Sequence, residues 1–201
     1  DNGAGHGIPA SKAGEAMKLG VFDSGLGGLL ISKAIRQAMP DLDMVYFGDT
    51  LHLPYGNRSQ EAIHTYTRNA MGFLFQQGCK LIIVACNTAS AAALRQLQQQ
   101  WLPGVYSDRR ILGVVVPTLE AAIDGGHRNI GLLATNYIVK SDIYGEELKK
   151  INPAITLHSI AAPLLVPMIE NDGLEWVEPA LSRYLVPVQG KGLDSLILGC
   201  T

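Results

Sequence analysis

Short apolar runs rich in β-branched residues punctuate the chain, and their shortness is what most limits the fold. They lie at Leu19–Phe22, Met44–Phe47, Leu81–Ala85, Ile111–Val116, Ile130–Ala134 and Leu196–Leu198. Continuous apolar runs of this length predict strands buried on both faces, as in a parallel sheet. Between several of them the pattern turns helical. Ile31, Ala34, Ile35 and Ala38 fall at i, i+3, i+4 and i+7 and make one apolar face. Residues 60–77 read as a second helix, and residues 89–100, from their Ala, Leu, Arg and Gln content, as a third. Strands alternating with helices imply right-handed βαβ units and an open parallel sheet. The expected fold class is α/β.

An internal echo sharpens this. Residues 81–90 read LIIVACNTAS and residues 193–201 read LDSLILGCT. Each is a buried strand that delivers a cysteine, with a threonine close behind, at its carboxyl end. Ligands of open α/β sheets sit outside such ends. The expectation is two pseudo-symmetric, doubly wound parallel-sheet domains with an active site in the cleft between them. Residues 17–100 form the first α/β domain with Cys86, and residues 101–201 the second with Cys200. The boundary falls near Trp101–Arg110, where Pro, Gly, Ser and Asp interrupt the pattern. Residues 1–16, DNGAGHGIPASKAGEA, lack periodicity and read as a disordered leader or tag, with Met17 the native start.

Composition excludes several function classes. Sixteen basic against eighteen acidic side chains give a net charge of −2, without the basic excess of a nucleic-acid binder. The three cysteines, Cys79, Cys86 and Cys200, make no CxxC pair, and the histidines do not stand at metal-ligand intervals from them. No metal site and no disulfide framework is expected; free thiols suit a reducing cytoplasm. No apolar run reaches the ~18–20 residues of a membrane span, and no signal-peptide pattern opens the chain. The expectation is a soluble, cytoplasmic protein with no membrane or nucleic-acid partner.

Three segments carry candidate chemistry. In GVFDSGLGG, residues 20–28, a strand gives way to Asp23, Ser24 and a glycine-rich turn that opens a helix. Backbone N–H groups there suit an anion such as a carboxylate, although a tight turn needing glycines is an equal alternative. In VACNTAS, Cys86 ends a strand and Asn87 or Thr88 is placed to cap the helix that follows. The positive end of a helix dipole favours thiolate, by ~0.3–1 kcal/mol. A lone cysteine is more often core, which is how Cys79 reads, but two at equivalent strand ends are harder to explain by packing. Racemisation needs such a pair: one base removes the Cα proton, and an acid on the opposite face returns one. Asn87, Thr88, Thr201 and Ser24 are donors suited to stabilising the carbanionic state. In YFGDTLHLPYG, residues 46–56, a strand ends at Gly48-Asp49 and Pro54-Tyr55-Gly56 makes a turn able to close over a cleft. There Asp49 reads equally as a satisfied loop aspartate and His52 as a surface histidine.

Taken together, FDSGLGG, YFGDT, PYG, ACNTAS, AAPLLVPMIE and LILGCT resemble glutamate racemases of the aspartate/glutamate racemase superfamily, from about Lys18 to Thr201. The resemblance implies two α/β domains, a thiol pair acting without pyridoxal phosphate, metal or other cofactor, and D-glutamate supply for peptidoglycan and cell shape. It places the catalytic cysteines at Cys86 and Cys200. It implies substrate contacts from Ser24, Pro54, Tyr55, Gly56, Asn87, Thr88 and Thr201. It gives Asp23 the tasks of assisting a thiol and orienting the substrate ammonium. A homodimer is a further expectation. The sequence also departs from the family. The family motif continues past GCT with a histidine and a C-terminal segment that returns to the first domain; here the sequence stops at Thr201. Ile138 stands where a substrate-facing threonine is common, and Ala162 where a cysteine is common, the latter reading as packing.

The alternatives are an aspartate or broader amino-acid racemase of the same superfamily, and a catalytically silent amino-acid-binding protein. A cysteine hydrolase would need a histidine paired with one thiol, and His52, His64, His127 and His158 carry no signature linking them to either cysteine.

Overall fold

The computed structural model describes residues 17–201; the stretch read as a leader or tag lies outside the described residues. β1 (Lys18–Asp23), α1 (Gly28–Ala38), β2 (Asp43–Gly48) and α2 (Gln60–Gln76) follow in chain order. After β3 (Leu81–Val84), α3 (Asn87–Ala89) continues through π-helical turns at Ser90–Leu94 and Leu97–Trp101 into α4 (Leu102–Val105). β4 (Arg110–Gly113) completes a parallel sheet of order β2-β1-β3-β4. Side-chain alternation along β1 separates two core layers. Phe22 packs with Leu74, Ile82 and Leu97 beneath α2 and the long helical stretch, while Leu19 and Val21 face Ile31 and Ile35 of α1.

The second half builds a smaller sheet. α5 (Val115–Asp124), β5 (Asn129–Ala134), α6 (Asn136–Ser141), α7 (Ile143–Ile151) and β6 (Thr156–Ala161) lead to α8 (Leu165–Glu170), α9 (Val177–Leu185) and β7 (Ser195–Gly199). Its order is β6-β5-β7, again parallel. Ile130, Leu132 and Ala134 pack against Leu119, Tyr144 and Leu148 on one face; Leu133 meets Leu181 and Tyr184 on the other.

The α/β class and paired parallel sheets agree with the sequence reading, but three details differ. The run Ile111–Val116 is strand only to Gly113, because Val115 already begins α5. β4 hydrogen-bonds to β3, so residues 110–113, which a boundary at residue 101 assigns to the second domain, belong to the first sheet. β6 has no apolar run to announce it: it is an edge strand, TLHSIA, whose His158 and Ser159 break the hydrophobic signal.

Candidate active site

Strand order decides where a site can form. The chain leaves β1 for β2 on one side and returns to β3 on the other, so a crevice opens at the carboxyl ends of β1 and β3. The second sheet repeats this at β5 and β7. The residues just beyond those strands are Ser24 after β1, Cys86 after β3, Thr135 after β5 and Cys200 after β7. All four line one cleft between the sheets, where open α/β sheets take their small-molecule ligands. The cleft also takes in Asp23, Pro54, Tyr55, Gly56, Asn87, Thr88 and Thr201, so every site residue expected from the sequence is brought together.

Cys86, rather than Asn87 or Thr88, is the N-cap: its Sγ accepts the Ala89 backbone N–H at 3.4 Å and donates to Ser24 Oγ at 3.3 Å. The thiolate bias expected of a helix start is overridden. Burial and the Asp23 carboxylate push the Cys86 thiol up to about 12, against the weaker pull of the Ser24 and Ala89 hydrogen bonds. Cys200 keeps an exposed surface, but the protein atoms crowded around its sulfur still withhold water from a thiolate; this and Asp23 push it up to about 11, with Glu170 adding to them. Fixed dipoles within one turn contribute less than removing an anion from water beside another anion.

The glycine-rich turn holds an anion, and it is the chain's own. Asp23 Oδ2 accepts the Gly25 N–H at 3.0 Å, and the N–H groups of Gly28 and Ser24 also bond this carboxylate. Burial nevertheless raises the Asp23 carboxyl above the ordinary carboxylate range. Close approach explains the glycines. A Cβ at Gly28 would stand 2.6 Å from the Asp23 Cβ, and one at Gly27 would run into the Thr201 backbone. Thr201 Oγ1 donates to the Ala85 carbonyl at 2.9 Å and lies 3.4 Å from Asp23 Oδ1, tying the end of β7 to the first sheet.

The turn after β2 is braced from behind. Tyr55 OH donates to Asp49 Oδ2 at 2.7 Å, His52 Nδ1 sits 2.8 Å from both Asp49 oxygens, and the His52 ring stacks on Tyr66 with centroids 3.9 Å apart. Asp49 is thus a satisfied loop aspartate, and His52 is its partner. Gly56 abuts the second domain: a Cβ there would lie 2.8 Å from the Thr135 Cβ.

Sequence reasoning passed over Thr135, Glu170 and Tyr144. Thr135 caps α6 through the Ile138 N–H at 3.3 Å and meets Thr88 Oγ1 across the cleft at 3.1 Å. It follows an apolar strand as Thr88 does, a signal present in the sequence. Glu170, the last residue of AAPLLVPMIE, lines the cleft from α8. Ile138, at the position of a common family threonine, is buried in the second core. Ala162 is both core and cleft wall. Cys79 is buried in the first core, as a packing residue. Among the described residues the cleft has acidic but no basic side chains on its walls. Also among them, no group of three or more His, Cys, Asp or Glu is placed to hold a metal. Among the described residues no helix is long and apolar enough to cross a membrane.

Comparison with known proteins agrees with this architecture. The chain is 42% identical over 188 residues to glutamate racemase from Aquifex aeolicus, covering 92% of this chain and 70% of that protein. It is 37% identical over 185 residues to glutamate racemase from Trichormus variabilis, covering 91% and 61%. The chain therefore spans about two thirds of the length of these relatives. The crystal structure of Francisella tularensis glutamate racemase in complex with D-glutamate superposes with a TM-score of 0.83 at 33% identity, covering 92% of this chain and 68% of that one. The family model for Asp/Glu/Hydantoin racemase matches residues 30–201, and the chain belongs to that family.

Proposed function

We propose that the protein interconverts L- and D-glutamate by two-thiol proton transfer, without an organic cofactor or metal. The observation that carries this reading is the placement of Cys86 and Cys200 at equivalent strand ends of different sheets, both lining one cleft. The thiolate of one cysteine takes the Cα proton, leaving its electron pair delocalised into the α-carboxylate. The thiol of the other gives a proton to the opposite face and becomes the thiolate. The reverse reaction exchanges their roles.

The acidic cleft assigns tasks to its walls. Asp23 and Glu170 are the groups available to attract an ammonium; carboxylates are left to neutral donors such as Ser24, Asn87, Thr88, Thr135 and Thr201. An ammonium beside Cα also opposes the two influences that raise the thiols, so bound substrate favours the thiolate it needs. Glutamate as the substrate is supported by the relatives named above, and supply of D-glutamate for peptidoglycan belongs to the same reading.

The test is α-proton exchange in D2O with L-glutamate, D-glutamate and L-aspartate, followed by mass spectrometry and chiral separation. Exchange with inversion of glutamate, lost in Cys86→Ala and in Cys200→Ala, is the expected result. Exchange of aspartate alone would make it an aspartate racemase. Binding without exchange by the folded chain would leave an amino-acid-binding protein.

A further inference from the structure

Asn87 follows Cys86 directly and begins the long helical stretch of the first domain. Its side chain is held from the other domain. Tyr144, on α7, donates its hydroxyl to Asn87 Oδ1 at 2.5 Å. Both residues are buried, Tyr144 to 1% exposure and Asn87 to 6%, yet Asn87 lines the cleft and Tyr144 does not. The phenol sits in the second core with Leu119, Ile138 and Leu148, and Thr118 is a further hydrogen-bond partner. Burial raises the phenol well above its ordinary value, with Cys200 adding to the effect, so the hydroxyl keeps its proton and remains a donor.

A primary amide has two unlike ends, and which end faces a ligand decides attraction or repulsion. An oxygen turned toward a carboxylate repels it; an NH2 donates to it. We propose that Tyr144 is a positioning residue that fixes the Asn87 amide with its NH2 toward the cleft, where it donates to the carboxylate that takes up charge when the Cα proton leaves. This rests on the racemase reading above. The hydroxyl donates into Oδ1, so the NH2 is the end left for the cleft.

The arrangement also makes donor orientation depend on contact between the domains. Tyr144 and Glu147 lie one turn apart on α7, and Glu147 Oε1 meets Arg95 Nη2 of the long helical stretch at 2.6 Å. The Thr88–Thr135 contact crosses the same seam. The amide is thus held in one orientation only while α7 is seated on the first domain.

The experiment compares wild type, Tyr144→Phe, Asn87→Ala and the double variant in the D2O exchange assay, each with its thermal midpoint. Tyr144→Phe is expected to lower kcat about tenfold in both directions, with KM changed by less than kcat. In the Asn87→Ala background the same change is expected to have no further effect on kcat, because the amide it orients is gone. Unchanged kcat in Tyr144→Phe, or an equal loss in both backgrounds, overturns the proposal while leaving the racemase reading intact. Absence of exchange in the folded wild type overturns both. If Tyr144→Phe does not fold, NMR of the wild type decides. The Asn87 NH2 resonances, assigned by their loss in Asn87→Ala, are expected to shift on adding D-glutamate; no shift overturns the proposal.

Discussion

The Cys86 thiol and the Ser24 hydroxyl, 62 residues apart in sequence, meet at 3.3 Å where β1 and β3 end side by side. Once Cys86 loses its proton, the same hydroxyl turns to donate to sulfur, and it is the first of the groups that lower this thiol. Ser24→Ala is therefore expected to slow glutamate exchange about tenfold. The rising limb of its pH–rate profile should also move to higher pH. A profile superimposable on wild type would remove Ser24 from the proton-transfer step.

Both thiols are raised, to about 12 and about 11. A raised thiol is neutral below its pKa, so the reactive thiolate grows with pH. We expect kcat/KM for glutamate to rise from pH 7 to pH 9. A falling profile across that window, measured by exchange, would contradict thiolate as the base.

Asp23 raises both thiols and is itself raised by burial. Asp23→Asn should bring the thiolate ultraviolet absorbance in at lower pH, yet reduce exchange by about a hundredfold or more if the carboxylate orients the ammonium. Stability should move the other way. A carboxyl whose folded pKa exceeds its unfolded one stabilises the fold when protonated, and that contribution is lost as pH rises through the folded value. The variant should thus melt above wild type at pH 8, with the gap closing as pH falls toward the ordinary value of about 3.9. Calorimetry at several pH values checks this.

Gly27→Ala is a test of close packing. The added Cβ runs into the Thr201 backbone, which no rotamer change relieves. Since Thr201 follows Cys200, displacement of about 1 Å there should cost roughly a hundredfold in kcat. Gly56→Ala meets the side chain of Thr135 instead, and should mainly raise KM.

The Asp49–Tyr55 hydrogen bond braces the 54–57 turn from inside the first domain, with Tyr55 only 2% exposed. Tyr55→Phe leaves Asp49 with His52 alone and should destabilise the protein by about 1–3 kcal/mol. Denaturant unfolding measures it.

Much of this was legible in residue order. The runs at Leu19–Phe22, Leu81–Ala85 and Ile130–Ala134 predict β1, β3 and β5 because a strand buried on both faces leaves a continuous apolar trace. The pairing of Cys86 with Cys200 was legible because strand ends repeat the same local grammar. β6 was not, since an edge strand tolerates His158 and Ser159. Nor was Tyr144: an isolated tyrosine in a helix carries no mark of the amide it will meet 57 residues away.

By itself the sequence determined the α/β alternation, the carboxyl-terminal placement of both cysteines and the list of polar groups near them, because each depends on neighbours in the chain. Only the tertiary structure decided that β4 joins the first sheet, that Asp23 consumes the helix-start N–H groups, and that the thiols are raised rather than lowered. These depend on which strand lies beside which, and on how far the folded protein keeps water from a charge.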